Sequence, residues 1–179
     1  MQHRTRQRNP LDHAALEQMA LRYVERFATT RARLAAYLAR KVRERGWAEG
    51  TPPADPAAIA ERLAGLGYVD DRAFAEARAA SMGRRGLGAR RVAQALRFAG
   101  IEEEDAEAVS PIVEGDTLAS ALAFARRRRI GPYAREAPDP RMRERQVAAM
   151  VRAGHAPSIA WRIARMSPGE EVEGLPDSD

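Results

Sequence analysis

The sequence predicts an all-α chain built as three tandem three-helix repeats, and three observations carry that expectation. Apolar residues recur at intervals of three and four along most of the chain. Strand-like alternation is sustained nowhere. Gly46, Gly100 and Gly154 each close a long helical segment and stand 54 residues apart. Composition points the same way, with alanine abundant and only 6% aromatic residues, which suits closely packed helices better than a sheet with a bulky core.

Taken in order, residues 1–13 form a basic segment that lacks the apolar stretch of a secretion signal. The first repeat is expected over residues 14–68. Its opening helix, 14–27, places Leu16, Met19, Tyr23 and Phe27 on one face. Leu34, Leu38 and Val42 mark the second helix, capped by Thr29 or Thr30 and ended by Gly46. Asp55 followed by Pro56 starts the third, which carries Ile59 and Leu63. The second repeat, 69–115, opens with a helix over 71–82. A helix from about Gly88 to Phe98 follows, with Ala89, Val92, Leu96 and Ala99 on one side, and then "EEEDAEAVSPI". The third repeat, 116–166, has helices at 118–129, before Gly154, and in "APSIAWRIAR". Val42, Leu96 and Met150 align under the 54-residue shift, one turn before each glycine. Each repeat is too small for a good core alone, so end-to-end packing into an elongated, curved body is expected. Residues 167–179 form an acidic tail, expected to be disordered.

Charge narrows the partners. The tail carries five acidic residues and no basic one, so a chain of net charge +5 has a body of +10. Such a body attracts polyanions, nucleic acid first. Lys41 is the sole lysine, and arginine's planar fork suits phosphate; a GC-rich coding sequence would also favour arginine, but the net charge biases partners either way. The absence of cysteine excludes disulfides and thiolate chemistry. No stretch approaches the roughly 18 apolar residues of a membrane span. A cytoplasmic monomer without cofactors is the plain expectation.

The adjacent carboxylates Asp70 and Asp71 are the strongest catalytic candidates, and their context argues for structure. With Asp70 as N-cap, Val69 and Phe74 take the two positions of a hydrophobic staple, and Asp71 sits in the first turn, where the helix dipole favours negative charge. No further ligands stand at metal-binding spacing nearby. His3, His13 and His155 are scattered, and "GRRGLG" lacks the closing residues of a Walker phosphate loop. A hydrolase or nuclease built on the pair is remote.

"GYVDDRAFAEA" followed by "RRGLGARRVAQALRFAGI" resembles the central repeat of the RecX family. Tyr68, Val69, Asp70, Asp71, Phe74 and Ala75 match the first part of its motif. Gly88, Arg91, Val92, Leu96, Gly100 and Ile101 match the second. The likeness covers roughly residues 14–166 and is specific in the middle. Arg33 stands where an acidic residue is common, His155 stands where an aromatic is favoured, and the acidic tail lies outside the shared pattern.

The resemblance implies a non-enzymatic regulator that binds the RecA recombinase and its DNA filament, lies in the filament groove, and restrains filament growth, ATP hydrolysis and strand exchange. Candidate contacts are Arg84, Arg85, Arg90, Arg91 and Arg97 around the Gly88 turn, with Arg126, Arg127, Arg128 and Arg129 at the end of the next basic helix. Arg90, Gln94 and Arg97 fall opposite Val92 and Leu96, while the four consecutive arginines must spread around their helix. Trp47, Tyr68, Phe124 and Trp161 read as packing residues. The alternative is a free-standing DNA- or RNA-binding helical protein, against which stands the lack of a recognition helix with Asn, Gln and Arg at its start.

Overall fold

The structure, a computed structural model, describes residues 9–115 and 117–172; expectations that fall on residues 1–8 and on tail residues 173–179 lie outside the described residues. Among the described residues there are nine α-helices and no sheet. They are α1 His13–Val24, α2 Arg31–Arg45, α3 Pro56–Gly65, α4 Asp71–Arg84, α5 Ala89–Phe98, α6 Glu103–Gly115, α7 Thr117–Arg128, α8 Pro140–Arg152 and α9 Pro157–Arg165, with a 3₁₀ turn at Gly131–Tyr133. Compactness divides the chain in two: one unit runs to Phe74 and includes Ala99–Ile101, and the other holds Ala75–Phe98 and everything from Glu102 onward.

In the first unit, local sequence sets the helix starts. Asp12 accepts from the Ala15 N–H at 2.8 Å, Thr30 from Arg33 at 3.2 Å, and Asp55 from Ala58 at 2.9 Å. Gly46 ends α2 at φ +80°, a conformation that favours glycine. Leu16, Ala20, Leu34, Leu38, Ile59, Leu63 and Val69 close the core. Two expectations need correction. Leu11, placed in the N-terminal segment, is fully buried and bridges to Trp47, so the core begins before residue 14. The first helix stops at Val24 rather than residue 27, because Thr30 needs extended backbone to cap α2 and the chain must turn first. Phe27 is therefore 55% exposed.

Side-chain contacts tie Ala99–Ile101 and Asp71 into this unit. The Thr30 hydroxyl donates to the Ala99 carbonyl at 2.6 Å. The buried Asp71 carboxylate accepts from the Arg31 backbone N–H at 2.9 Å and from its Nε at 3.2 Å. Gly100, at φ +71°, packs against the Ala32 methyl.

The second unit is built around Ala121, Phe124, Ile130, Val147, Met150, Ile159 and Ile163. Here the start of α5 docks on the end of α8. The Gly88 N–H donates to the Ala153 carbonyl at 2.9 Å and the Arg90 N–H to that of Gly154 at 3.2 Å. A Cβ on Gly88 would collide with the Gly154 carbonyl. On α5, Val92 and Leu96 are buried as expected, but Ala89, read on the same side, is exposed. The opening of the tail is ordered, which corrects the expectation of disorder from residue 167. The Gly169 N–H donates to the Pro132 carbonyl at 2.9 Å, and the Ser167 N–H to the Glu170 carboxylate at 2.7 Å.

Candidate polyanion-binding surface

All nine candidate arginines fall in the second unit, and all are exposed. None takes part in an ion pair among the described residues. The structure brings three of them together. Arg84, from the end of α4, and Arg126 and Arg127, from the end of α7, line an open depression of about 450 Å³. Its walls are Ala119, Leu122, Ala123 and Tyr133, and among the described residues no carboxylate lines it. Small residues along α7 leave the space, and the 3₁₀ turn supplies the tyrosine. The Arg126 guanidinium lies over the Tyr133 ring, 5.1 Å from its centroid. Arg127 reaches back over Gly86, where a Cβ would come within 2.8 Å of its Nη2.

The other candidates diverge. Arg128 turns away over the Phe124 ring at 5.9 Å. Arg129 adopts φ +55° where α7 ends, and the Ile130 N–H closes that turn on the Ala125 carbonyl at 2.9 Å. Glycine usually fills this left-handed position. On α5, Arg90, Gln94 and Arg97 are exposed opposite the buried Val92 and Leu96. The Arg91 guanidinium donates to the Gln94 side chain at 2.9 Å, and its stem packs against Gly154. Arg85, Arg90, Arg91 and Arg97 do not line the depression.

The carboxylate pair separates into two tasks. Asp70 caps α4 by accepting from the Ala73 N–H at 2.8 Å, whereas Asp71 reaches Arg31. Val69 is buried and Phe74 half-buried, with the Arg33 guanidinium over its ring at 5.3 Å. Tyr68, read as a packing residue, is 57% exposed; the turn at Gly67 (φ +78°) sends it outward while Val69 takes the core position. Phe124 is buried, Trp161 packs against the core, and Trp47 donates its indole N–H to the Pro52 carbonyl at 2.9 Å. No group of three or more His, Asp or Glu side chains among the described residues is placed to hold a metal ion. No helix among them is long and apolar enough to cross a membrane.

His155 is buried in the second unit, and its Nε2 donates to the Gly86 carbonyl at 3.1 Å, since a carbonyl can only accept. Burial holds its imidazole below the usual histidine value, against a smaller upward pull from that carbonyl bond. Sequence reasoning also missed a second basic depression, in the first unit, lined by Arg22, Arg26 and Arg45 with Tyr23, Phe27 and Tyr37. The pairs Arg22/Arg26 and Tyr23/Phe27, each one helical turn apart, were the available signal.

Fold and surface define a basic, all-helical repeat protein. Residues 70–109 match the model of the second three-helix domain of RecX. The chain is 33% identical over 164 residues to the regulatory protein RecX of Myxococcus xanthus, covering 86% of each chain. It is 31% identical over 163 residues to that of Agrobacterium fabrum, covering 89% of this chain and 86% of the other. Among solved structures, RecX from Lactobacillus salivarius matches with a TM-score of 0.61 at 18% identity, over 84% of this chain and 92% of that one. A second regulatory protein RecX matches with a TM-score of 0.63 at 21% identity, over 85% and 70%. The chain belongs to the RecX family of regulatory proteins.

Proposed function

We propose that this protein binds RecA and its DNA filament and restrains filament growth, ATP hydrolysis and strand exchange, acting by binding and not by catalysis. Family membership supports the partner. The single observation that supports the mode is the depression that brings Arg84, Arg126 and Arg127 together, with no carboxylate among the described residues that line it. Three exposed guanidiniums on one concavity, none in an ion pair among the described residues, attract phosphate or carboxylate oxygens and can grip them bidentately. The α5 face with Arg90 and Arg97 adds exposed positive charge in the same unit, opposite the buried Val92 and Leu96. Such a role places the protein in the cytoplasm with its DNA-bound partner, and a monomer suffices for it.

RecA-dependent ATP hydrolysis on single-stranded DNA, measured with increasing amounts of this protein, tests the reading. The rate should fall, and replacing Arg90 and Arg97 with glutamate, or Arg84 and Arg126, should weaken inhibition several-fold at unchanged helicity. A rate unmoved by the wild-type protein would overturn it. RecA-coated DNA should also bind the protein more tightly than the same DNA alone, because protein contacts add to the electrostatic attraction. Equal affinity for both would favour a free-standing nucleic-acid binder.

A further inference from the structure

We infer that the first unit carries a nucleobase-stacking pocket for single-stranded nucleic acid, formed by the end of α1 and the outer face of α2. On α1 the fully buried stripe is Leu16 and Ala20, which leaves Met19 and Tyr23 at its edge. Past the end of the helix the Phe27 N–H still donates to the Tyr23 carbonyl at 3.0 Å, so Phe27 is held one turn beyond Tyr23. The three rings form a ladder. Tyr37 and Tyr23 stack with centroids 4.2 Å apart and planes 26° apart, and Phe27 follows Tyr23 at 5.2 Å. The Tyr37 end of the ladder is closed by Arg40 and Lys41, which lie over its ring at 5.7 and 5.8 Å. The Phe27 end is open, with the residue 55% exposed.

Beside the ladder lies a depression of about 360 Å³, lined by Arg22, Arg26 and Arg45 and, among the described residues, by no carboxylate. Arg22 and Arg26 stand one helical turn apart and make no ion pair among the described residues. Arg45 is held by its bond to the Asn9 carbonyl at 2.8 Å. A nucleotide has the two complementary ends: a flat π surface that extends a ring ladder, and a phosphate that takes a pair of guanidiniums. An acidic peptide would use the arginines and leave the rings idle. Stacking of this kind tolerates any base, so the pocket reads single-strandedness rather than sequence.

Binding of the full chain to a short oligothymidylate and to an abasic oligomer of equal length, without RecA, tests this independently of the function proposed above. The two oligomers carry the same phosphates, so any preference between them reports stacking. The wild-type protein should prefer oligothymidylate at least about fivefold. Phe27→Ala and Phe27→Leu should abolish that preference and leave abasic binding within about twofold, while Phe27→Trp should keep it. Arg22→Glu with Arg26→Glu should weaken binding of both oligomers. An oligouridylate should behave as the thymidylate does if the strand's bases, and not its sugar, are read. Equal wild-type affinity for the thymidylate and abasic oligomers, or a preference that survives both Phe27→Ala and Phe27→Leu, would overturn the inference. Binding of RecA that depends on Phe27, in the absence of any base preference, would assign the ladder to a protein contact instead.

Discussion

The start of α2 and the start of α5 meet equivalent parts of the repeat through different chemistry. In the first unit, Thr30 bonds to Ala99; in the second, Gly86 bonds to His155; both pairs are 69 residues apart in sequence. In each case the start of a long helix meets the glycine turn that closes the next one, Gly100 or Gly154. The first junction is held by a hydroxyl, by the Asp71 carboxylate across Arg31, and by an alanine methyl against Gly100. At the second, backbone meets backbone at Gly88 and Gly154, with a buried imidazole beside them. The repeat fixes where helix ends meet, and the side chains are free to solve each meeting differently. One junction should therefore be sensitive to charge and the other to volume and pH.

Volume gives the largest effect. Gly88→Ala should destabilise the protein by about 3 kcal/mol, because the new Cβ would meet Gly154 and His155 backbone atoms that no side-chain rotation can move. Gly100→Ala should cost less, roughly 1–2 kcal/mol, since it meets mainly the Ala32 methyl and otherwise pays for its positive φ. Urea unfolding of both variants checks the contrast; equal losses would remove the distinction between the junctions.

Charge comes next. Asp71→Ala should cost about 2 kcal/mol by removing two acceptor bonds to Arg31 from a buried carboxylate. The Arg31 guanidinium keeps some access to water and to Glu61 at 3.4 Å, which limits the loss. Asp71→Asn, which retains one acceptor oxygen, should cost less. Thermal melts would break the comparison if Asp71→Ala were neutral.

Asp70→Ala should cost about 1 kcal/mol through the lost cap on the Ala73 N–H. Its neighbour shows what the sequence could and could not reveal. Asp70 acts within its own helical turn, so spacing alone exposes its role. Asp71 acts on Arg31, 40 residues away, and nothing local distinguishes it from a solvated acid. The same divide runs through the rest of the molecule. Helix type, caps at Thr30 and Asp55, and the buried Val92–Leu96 stripe follow from neighbours in sequence. The Arg84–Arg126–Arg127 depression depends on the ends of α4 and α7 converging, and the arginine run alone did not say which of its members would join. Phe27 misled for a related reason: helical spacing from Tyr23 placed it in the core, but the cap at Thr30 ends that face early and turns the ring outward.

The smallest effect at neutral pH, and the one peculiar to the second junction, is titration of His155. Its position is equivalent to the buried Ile101 of the first junction, so an ionisable ring stands where the other junction has a hydrocarbon. The neutral ring donates from Nε2 to Gly86, while Nδ1 is buried without a partner among the described residues. Protonation would place a charge and an unpaired N–H at Nδ1, and burial lowers the folded-state pKa accordingly. The unfolded chain, with a histidine near the ordinary pKa of about 6.5, then binds a proton first as pH falls. The contribution of the neutral ring is complete above about pH 6.5 and is lost as pH drops toward and through the lowered folded-state value. His155→Gln, whose amide can donate to the same carbonyl but does not titrate, should flatten this part of the profile. Urea midpoints for wild type and variant between about pH 7.5 and 5 isolate the term from carboxylate titration common to both. Parallel profiles would show that the ring charges without penalty; divergence confined to the acid side would mark the second junction as the one that loosens with protonation.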